Sequence, residues 1–416
     1  ADAGAMSAVA ELYRGQSTGV AQQSGWDASK MNGFDMTESD VSVNINIPPS
    51  SGPNQTTDFA EAVVSRTVDT TFLRIFSQDA ATVRARAVAG LEKFADFCVL
   101  ALKPSVRGAL KVARGATLNA ACGVMVNSND TEALQSNSGV GCVSASSIAL
   151  TGATSGECVS PLPLTGAPRA LDPLAYLTPP SEPQVAPIAE DLVVDTFGKL
   201  DGDYLSSDLL FTNSTSLSTT SLYYSTYGTI AASTTEGFGI DGGKIIITGG
   251  EVTLKPGYYT GNPSIKIMGG KVTFEPGIYI LDSGLSISGN PTVTAEGVLF
   301  YNTKLANNGW NGFNIAGGTI ASFSGLTYGP YKGMMFWQDK LTPANVGSKI
   351  VGNSTAKYEG AFYFPSTELD YAGTSQAADW TMMVADRIVI SGDAHVSGGF
   401  PTTGDDVPTR KVSLLE

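Results

Sequence analysis

The chain has 416 residues, enough for two or three domains and a sizeable core, yet only 15 % of them are charged and 47 are glycine. Its turns must be made by Gly, Asn and Ser and its surface by uncharged hydroxyls and amides, a composition that leans towards extracellular β-structure. A formal net charge of −14 with no basic patch argues against nucleic acid and anionic lipid as partners, and no segment is apolar for long enough to cross a membrane as a helix.

The first stretch, "ADAGAMSAVAEL", reads as the continuation of a helix, with no capping residue in front of it, and implies a leader or membrane anchor upstream. Ala5, Val9 and Leu12/Tyr13 fall at helical spacing, which predicts one helix to about Gln23 with a narrow apolar stripe. "VSVNINI" (41–47) alternates strictly and predicts a half-buried strand, followed by a second strand near 62–68 and a short helix in "TTFLRIF" (71–76 and the residue before it). "ATVRARAVAG" (81–90) sets Val83, Ala85 and Ala87 on one face and Arg84 and Arg86 on the other. Residues 1–97 therefore read as a small α+β domain led by a long helix.

From Cys98 onward short apolar triplets alternate with Gly and Asn. Cys98, Cys122, Cys142 and Cys158 share this segment (98–160), none in a CxxC arrangement, and predict two disulfides in an oxidising compartment with three pairings open. A zinc site has little to draw on, because His395 is the only histidine. Residues 161–200 hold Pro161, Pro163, Pro168, Pro173, Pro179, Pro180, Pro183 and Pro187 and predict an extended crossing segment. Residues 201–240 form a Ser/Thr/Tyr-rich insertion whose form the sequence leaves open.

Residues 241–416 carry a Gly-rich repeat. "GGEVTLKPGYYTG" returns as "GGKVTFEPGIYIL", with Gly249, Gly269 and Gly289 at one phase and Gly257, Gly277 and Gly297 at another. The spacing within each unit returns at Gly352 and Gly360. A short fixed period of apolar triplets and Gly corners predicts a parallel β-helix, or β-solenoid, in which coils stack about 4.8 Å apart. Gly supplies the corner conformations that a branched residue resists. Inward ladders are expected along Val252, Val272 and Val293 and along Leu254 and Phe274, and loops such as "KLANNGWNGF" (304–313) are expected to project. The fold class is thus mainly β, a β-solenoid behind a small N-terminal α+β domain.

β-helices often act on polysaccharides through opposed carboxylates or calcium. The candidates here are few. Glu251 and Lys271 share one position in successive coils and Lys255 gives way to Glu275, the pattern of a solvated face with cross-strand pairs. Asp241 in "GIDGG" and the adjacent Asp405 and Asp406 have no basic partner motif beside them. His395 has no nucleophile elbow to serve, and "NSND" (127–130) lacks the spacing of an EF-hand calcium loop. No catalytic residue, cofactor or metal is expected. Among Trp310, Trp337, Trp380, Tyr258, Tyr301, Tyr331 and Tyr363, most are expected to pack in the coil, while Trp310 in "NNGWNG" is the candidate contact for a glycan or partner.

"ADAGAMSAVAEL", "VSVNINI", "TTFLRIF" and "ATVRARAVAG", in that order, resemble the region after the membrane anchor in TadE/TadG-like proteins of Flp-type, tight-adherence pilus assembly. "CVLALKPSVRGALKV", "ACGVMVNS", "LTGAPRALDPLA", "LKPGYYTG", "GIYILDSGLSISGN" and "GMMFWQDK" extend the likeness to TadG-related proteins over most of the chain, the 206–235 stretch excepted. The resemblance implies a non-enzymatic, exported, envelope or cell-surface protein that associates with pilus components or with itself and supports adherence. The leading helix would then offer its apolar stripe to further copies. The alternative expectation is a carbohydrate-binding adhesin tip that contacts a surface glycan through Trp310, and the last is a polysaccharide lyase or glycosidase.

Overall fold

The structure is a computed structural model that describes every residue except 71–79, 93–96, 114, 137–140, 157, 181–208, 212–215, 219–238, 241–244, 248–250, 255, 260–261, 305–308, 317–319, 353–355, 373–379, 397–410 and 416. The chain is mainly β, with large parallel sheets and, among the described residues, two helices. It divides into two units: Ala1–Ala95 with Pro173–Thr178 and Val407–Glu416, and Asp96–Asp172 with Pro179–Asp406.

In the first unit, β1 (Val41–Asn46), β2 (Phe59–Asp69) and β3 (Ala80–Glu92) form an antiparallel sheet. The alternation read in "VSVNINI" is realised: Val41, Val43 and Ile45 are buried and Ser42 and Asn44 exposed. A fourth strand, Lys411–Leu414, pairs antiparallel with β3, so the end of the chain belongs to this unit and not to the Gly-rich repeats. The single leading helix expected from the sequence is two helices, α1 (Asp2–Tyr13) and α2 (Thr18–Met31). Gly15 breaks them apart at φ 73°, a left-handed conformation, and Ser17 accepts from the Val20 amide at 3.4 Å to start α2.

The apolar stripe of α1 is not available to other copies. Ala5, Ala8, Val9 and Tyr13 are buried in one cluster with Val43, Ile45, Ala62, Val64, Ala87 and Ala89. Small residues let the two helices approach: a Cβ on Gly4 would lie 2.5 Å from Ser29 Oγ, and one on Gly25 would lie 3.0 Å from the Gly4 carbonyl. Val83, expected to share an inward face with Ala87, is 61 % exposed. It lies in the outer half of the β2–β3 hairpin, where residues 67–69 and 82–85 are all exposed. The segment 71–76 lies outside the described residues.

The second unit is built from three ladders of short parallel strands. In one, Ile245–Ile247, Ile265–Ile267, Leu285–Ile287, Asn314–Ile315 and Ser348–Val351 pair in succession. In the next, Glu251–Leu254, Lys271–Phe274, Thr292–Ala295 and Ile320–Ser324 do the same, with Val252, Val272 and Val293 in register and Leu254 opposite Phe274, as the repeat predicts. The third runs Gly257–Tyr259, Gly277–Leu281, Val298–Asn302 and Met334–Gln338. The long strand Lys357–Ala372 then joins all three ladders, pairing Ser322, Met334 and Ser348 along its length.

The order of the stack is not the order of the chain. Thr381–Ile390, near the end of the sequence, pairs in parallel with Phe97–Ala101 and Leu110–Val112, the first strands of the unit. From there the ladders continue through Gly123–Val126, Ser147–Leu150 and Leu164–Thr165. The Ser/Thr/Tyr-rich stretch joins the opposite end, with Leu209–Phe211 on Ile245–Ile247 and Ser216–Ser218 on 251–253. The start of the Pro-rich segment is held on these repeats. Arg169 donates to the carbonyls of Asn127 (3.1 Å) and Pro104 (2.7 Å), and Tyr363 donates to Asp172 at 2.8 Å.

Inside, aromatic rings stack from one repeat to the next. Tyr259, Tyr279, Phe300, Phe336 and Phe362 follow one another at centroid distances of 5.7, 5.4, 5.5 and 5.5 Å, all of them buried. Burial raises the Tyr279 phenol far above its ordinary value, with the nearby Glu275 charge acting in the same direction, and the neutral hydroxyl donates to the Leu254 carbonyl at 2.7 Å. At the corners Gly257, Gly277, Gly289, Gly297 and Gly360 have positive φ. Gly269 and Gly352 do not; Gly270 takes the left-handed place beside Gly269, and Gly249 lies outside the described residues.

Both disulfides link cysteines adjacent in sequence, Cys98 to Cys122 and Cys142 to Cys158, with Cα atoms 5.8 and 4.7 Å apart. Each is a vertical staple. The first joins the repeat of Phe97–Ala101 to that of Gly123–Val126, and the second joins Cys142–Ser144 to the paired strand Val159–Ser160.

Candidate functional site

The repeat is broken at one kind of corner. Gly277–Leu281 turns into Leu285–Ile287 through residues 282–284, a short corner. In the next two repeats the same corner lengthens to 303–313 and then to 339–347. The sequence marked the first of these as a projecting loop, and its end lines a groove of 390 Å³ together with residues 262–263, Ser286, Asn314, Gly347 and Lys349.

Beneath the groove, buried amides and hydroxyls are joined in a continuous network. Asn302 pairs in register with Gln338 and donates from Nδ2 to Gln338 Oε1 (2.8 Å) and to the Asn311 carbonyl (2.7 Å). Its Oδ1 accepts from the Gly284 amide at 2.7 Å, and Gln338 Nε2 donates to Thr342 Oγ1 at 2.7 Å. Asn311 Nδ2 donates to Ser283 Oγ at 3.0 Å and to Asn262 Oδ1, which uses both of its hydrogens. The Phe313 amide donates to Ser348 Oγ at 3.0 Å.

Close backbone packing holds the same corner. A Cβ on Gly284 would lie 2.3 Å from the Gly312 carbonyl, and one on Gly312 would lie 2.2 Å from that of Gly347. The lining is uncharged apart from Lys349, whose Nζ lies 3.6 Å from the carboxylate of Asp370, its register partner in the adjacent repeat. Trp310, the contact expected from the sequence, precedes Asn311 and is half-buried.

The other aromatics weighed from the sequence are core residues where described. Tyr301, Trp337, Tyr363 and Trp380 are buried, and Tyr331 packs on Trp337 at 5.8 Å. Tyr301 donates to Asp339 at 2.5 Å; burial first, and then this hydrogen bond to a carboxylate, raise its phenol above the ordinary range. Thr303 donates to the same oxygen at 2.7 Å, and the Leu341 amide to the other at 2.8 Å. All three donors close the corner, a structural use of a buried carboxylate.

In the "NSND" corner Asn127 exchanges two hydrogen bonds with the Ala170 backbone at 2.8 and 2.9 Å, Ser128 Oγ bridges the Val106 amide and carbonyl, and Asp130 Oδ1 accepts from the Glu132 amide. The corner clamps the crossing segment. Among the described residues no group of three or more His, Cys, Asp or Glu could hold a metal ion. His395 lies in the strand Asp393–Val396, paired with Thr117–Ala120, while Asp241, Asp405 and Asp406 lie outside the described residues. No helix among the described residues is long and apolar enough to cross a membrane.

Compared with known proteins, the chain matches no family model, no curated protein and no solved structure.

Proposed function

We propose that the three ladders are the walls of a β-solenoid, and that the protein is a non-enzymatic, exported cell-surface scaffold, a component or associate of a Flp-type pilus or similar filament that supports adherence. The observation that carries this reading is the continuity of the ladders from Leu209–Phe211 to Leu164–Thr165, each strand paired one repeat away. Such a stack supplies length and stiffness by repetition alone, which is what a scaffold requires. The two disulfides fit an oxidising compartment outside the cytoplasm, and the order of segments resembling TadG-related proteins favours the pilus association.

Self-association follows as a corollary, since the ends of a stack present strand backbone and apolar side chains. Leu162 and Leu164 are 92 % and 66 % exposed at the terminal repeat. Pro161 and Pro163 lack N–H donors and blunt strand addition there, so contact between copies would run through these side chains.

Electron microscopy of protein released from the native cell surface, with light scattering of the purified chain, tests the reading. Ordered polymers or pilus-bound particles are expected, and deletion is expected to reduce adherence. A strictly monomeric chain whose deletion leaves surface structures and adherence unchanged would overturn it.

A further inference from the structure

We propose that the corner groove at Asn262, Ser286, Asn311 and Asn314 is a binding site for one sugar unit of a neutral glycan. The inference rests on the groove and not on the filament reading.

Three observations converge on it. First, the groove exists because two successive repeats depart from the short corner in concert, at 303–313 and 339–347, while the neighbouring corner at 282–284 keeps the short form. Stability of the stack gives no reason for the departure, because the short corner already closes the repeat. Second, the lining mixes apolar surface from Pro263 and Phe313 with uncharged polar groups, the amides of Asn262, Asn311 and Asn314 and the hydroxyl of Ser286, and its one charge is a lysine already beside Asp370. Amide and hydroxyl groups both donate and accept, as sugar hydroxyls do, whereas an anionic ligand would call for unpaired cations. Third, Asn262 and Asn311 are held in place before any ligand arrives. The network runs from the buried Thr342, Gln338 and Asn302 through Asn311 to Ser283 and the exposed Asn262 and fixes the groove edge, which lowers the ordering cost of binding.

The volume of 390 Å³ falls within the range of small-ligand sites and suits a single ring with part of its neighbour. Ser286, Asn314 and Lys349 pair in register from one repeat to the next, so a chain of sugars would run along the ladder with ring units crossing successive strands. Trp310, half-buried beside Asn311, is the aromatic face nearest in sequence for stacking on a sugar ring.

The test is binding of the full chain to immobilised oligosaccharides of neutral hexoses and N-acetylhexosamines, with sialylated and sulfated oligosaccharides as acidic probes, followed by calorimetric titration of the best neutral probe. Binding to a neutral probe is expected, with a loss of tenfold or more in Asn314→Ala and in the double variant Ser286→Ala/Asn314→Ala. Neither side chain belongs to the buried network, so thermal stability should not change. Binding confined to acidic probes, binding untouched by both variants, or no binding to any neutral probe would overturn the proposal. Polymer formation by the wild-type chain separates the two readings: polymers formed with no binding to any neutral probe remove only the groove proposal, while wild-type binding that is lost in the double variant, with no polymers from either chain, removes only the scaffold.

Discussion

The two units solve the same problem, burying one side of β-structure in an apolar core, by opposite means. The first unit has one antiparallel sheet backed by two helices, and its register depends on contacts between distant parts of the chain: Lys411–Leu414 completes a sheet begun at Val41–Asn46. The second unit repeats one local rule, strand on equivalent strand, and its core is a column of like residues. A single error in the first unit has few equivalents to share it, whereas the second distributes its stability over neighbours.

The polar locks differ accordingly. In the first unit Glu61 is buried and accepts from Asn46, from the Ser50 amide and hydroxyl, and from Arg86, tying the 46–51 loop to the hairpin. Burial opposes its ionisation, but the bonds from Ser50, Asn46 and Arg86 prevail and hold its pKa down to about 2. In the second unit the corresponding locks are neutral amide bonds, two disulfides and the Asp339 carboxylate, which accepts only from uncharged donors, the Tyr301 and Thr303 hydroxyls and the Leu341 amide.

The largest effect that would break this comparison is a cavity in the aromatic column. Phe336 touches Phe300, Phe313, Phe323 and Phe362, so Phe336→Ala should cost about 3–5 kcal/mol in the second unit. Hydrogen exchange should show the loss centred on the repeats of 298–302 and 360–364. Loss spread evenly over all repeats would mean that the stack is one cooperative block rather than a sum of neighbours.

Next is the pair of staples. Reduction should cost roughly 3 kcal/mol for each bridge, since each closes a short loop. Protection against exchange should fall within 97–165 while β1 to β3 keep theirs, as read by mass spectrometry with and without reductant. An equal fall in both units would contradict the assignment of the bridges to the second.

A smaller effect sharpens the comparison from the other side. Because Glu61 is held at about 2, below the ordinary glutamate value of 4.5, its contribution is fully present above 4.5 and is lost as pH falls towards 2. The expected acid loss is on the order of 2 kcal/mol, confined to the first unit and abolished in Glu61→Gln. Circular dichroism of the helices against pH checks it; the same acid slope in wild type and variant would remove Glu61 from the account. The smallest effect is Gly15→Ala, which meets no atom within 4 Å and should cost only the left-handed backbone, about 1 kcal/mol.

Much of the second unit was legible because its rule is local. The periodic Gly corners and the Val252, Val272, Val293 series specify both the strands and their register, since a slip of one residue would turn every side chain over. What the sequence did not carry were relations across distance. No local signal says that Met383 pairs with Val99, that Lys411–Leu414 returns to β3, or that Cys98 takes Cys122 among three pairings. The helix break was readable in principle from Gly15 followed by Ser17, an end signal and a start signal, but the Ala-rich run hides it. The groove was half visible. The loop at 304–313 reads as a projection, and Trp310 as its conspicuous residue, whereas the lining comes from Asn262, Ser286 and Asn314, which look like ordinary turn and surface residues until the stack aligns them.

The central claim, that early and late segments form one stack out of chain order, yields a distance. The native cysteines are all in disulfides, so spin labels can be placed on introduced cysteines at Lys266 and Lys111. The path between these positions runs through Ser286, Asn314, Lys349, Asp370 and Val389, each the register partner of the one before. At the spacing of neighbouring strands the labelled backbone positions lie about 29 Å apart. A narrow distribution near that value, measured by pulsed dipolar spectroscopy, is the predicted result; a broad distribution, or one centred well beyond it, would contradict the joining of Thr381–Ile390 to Phe97–Ala101.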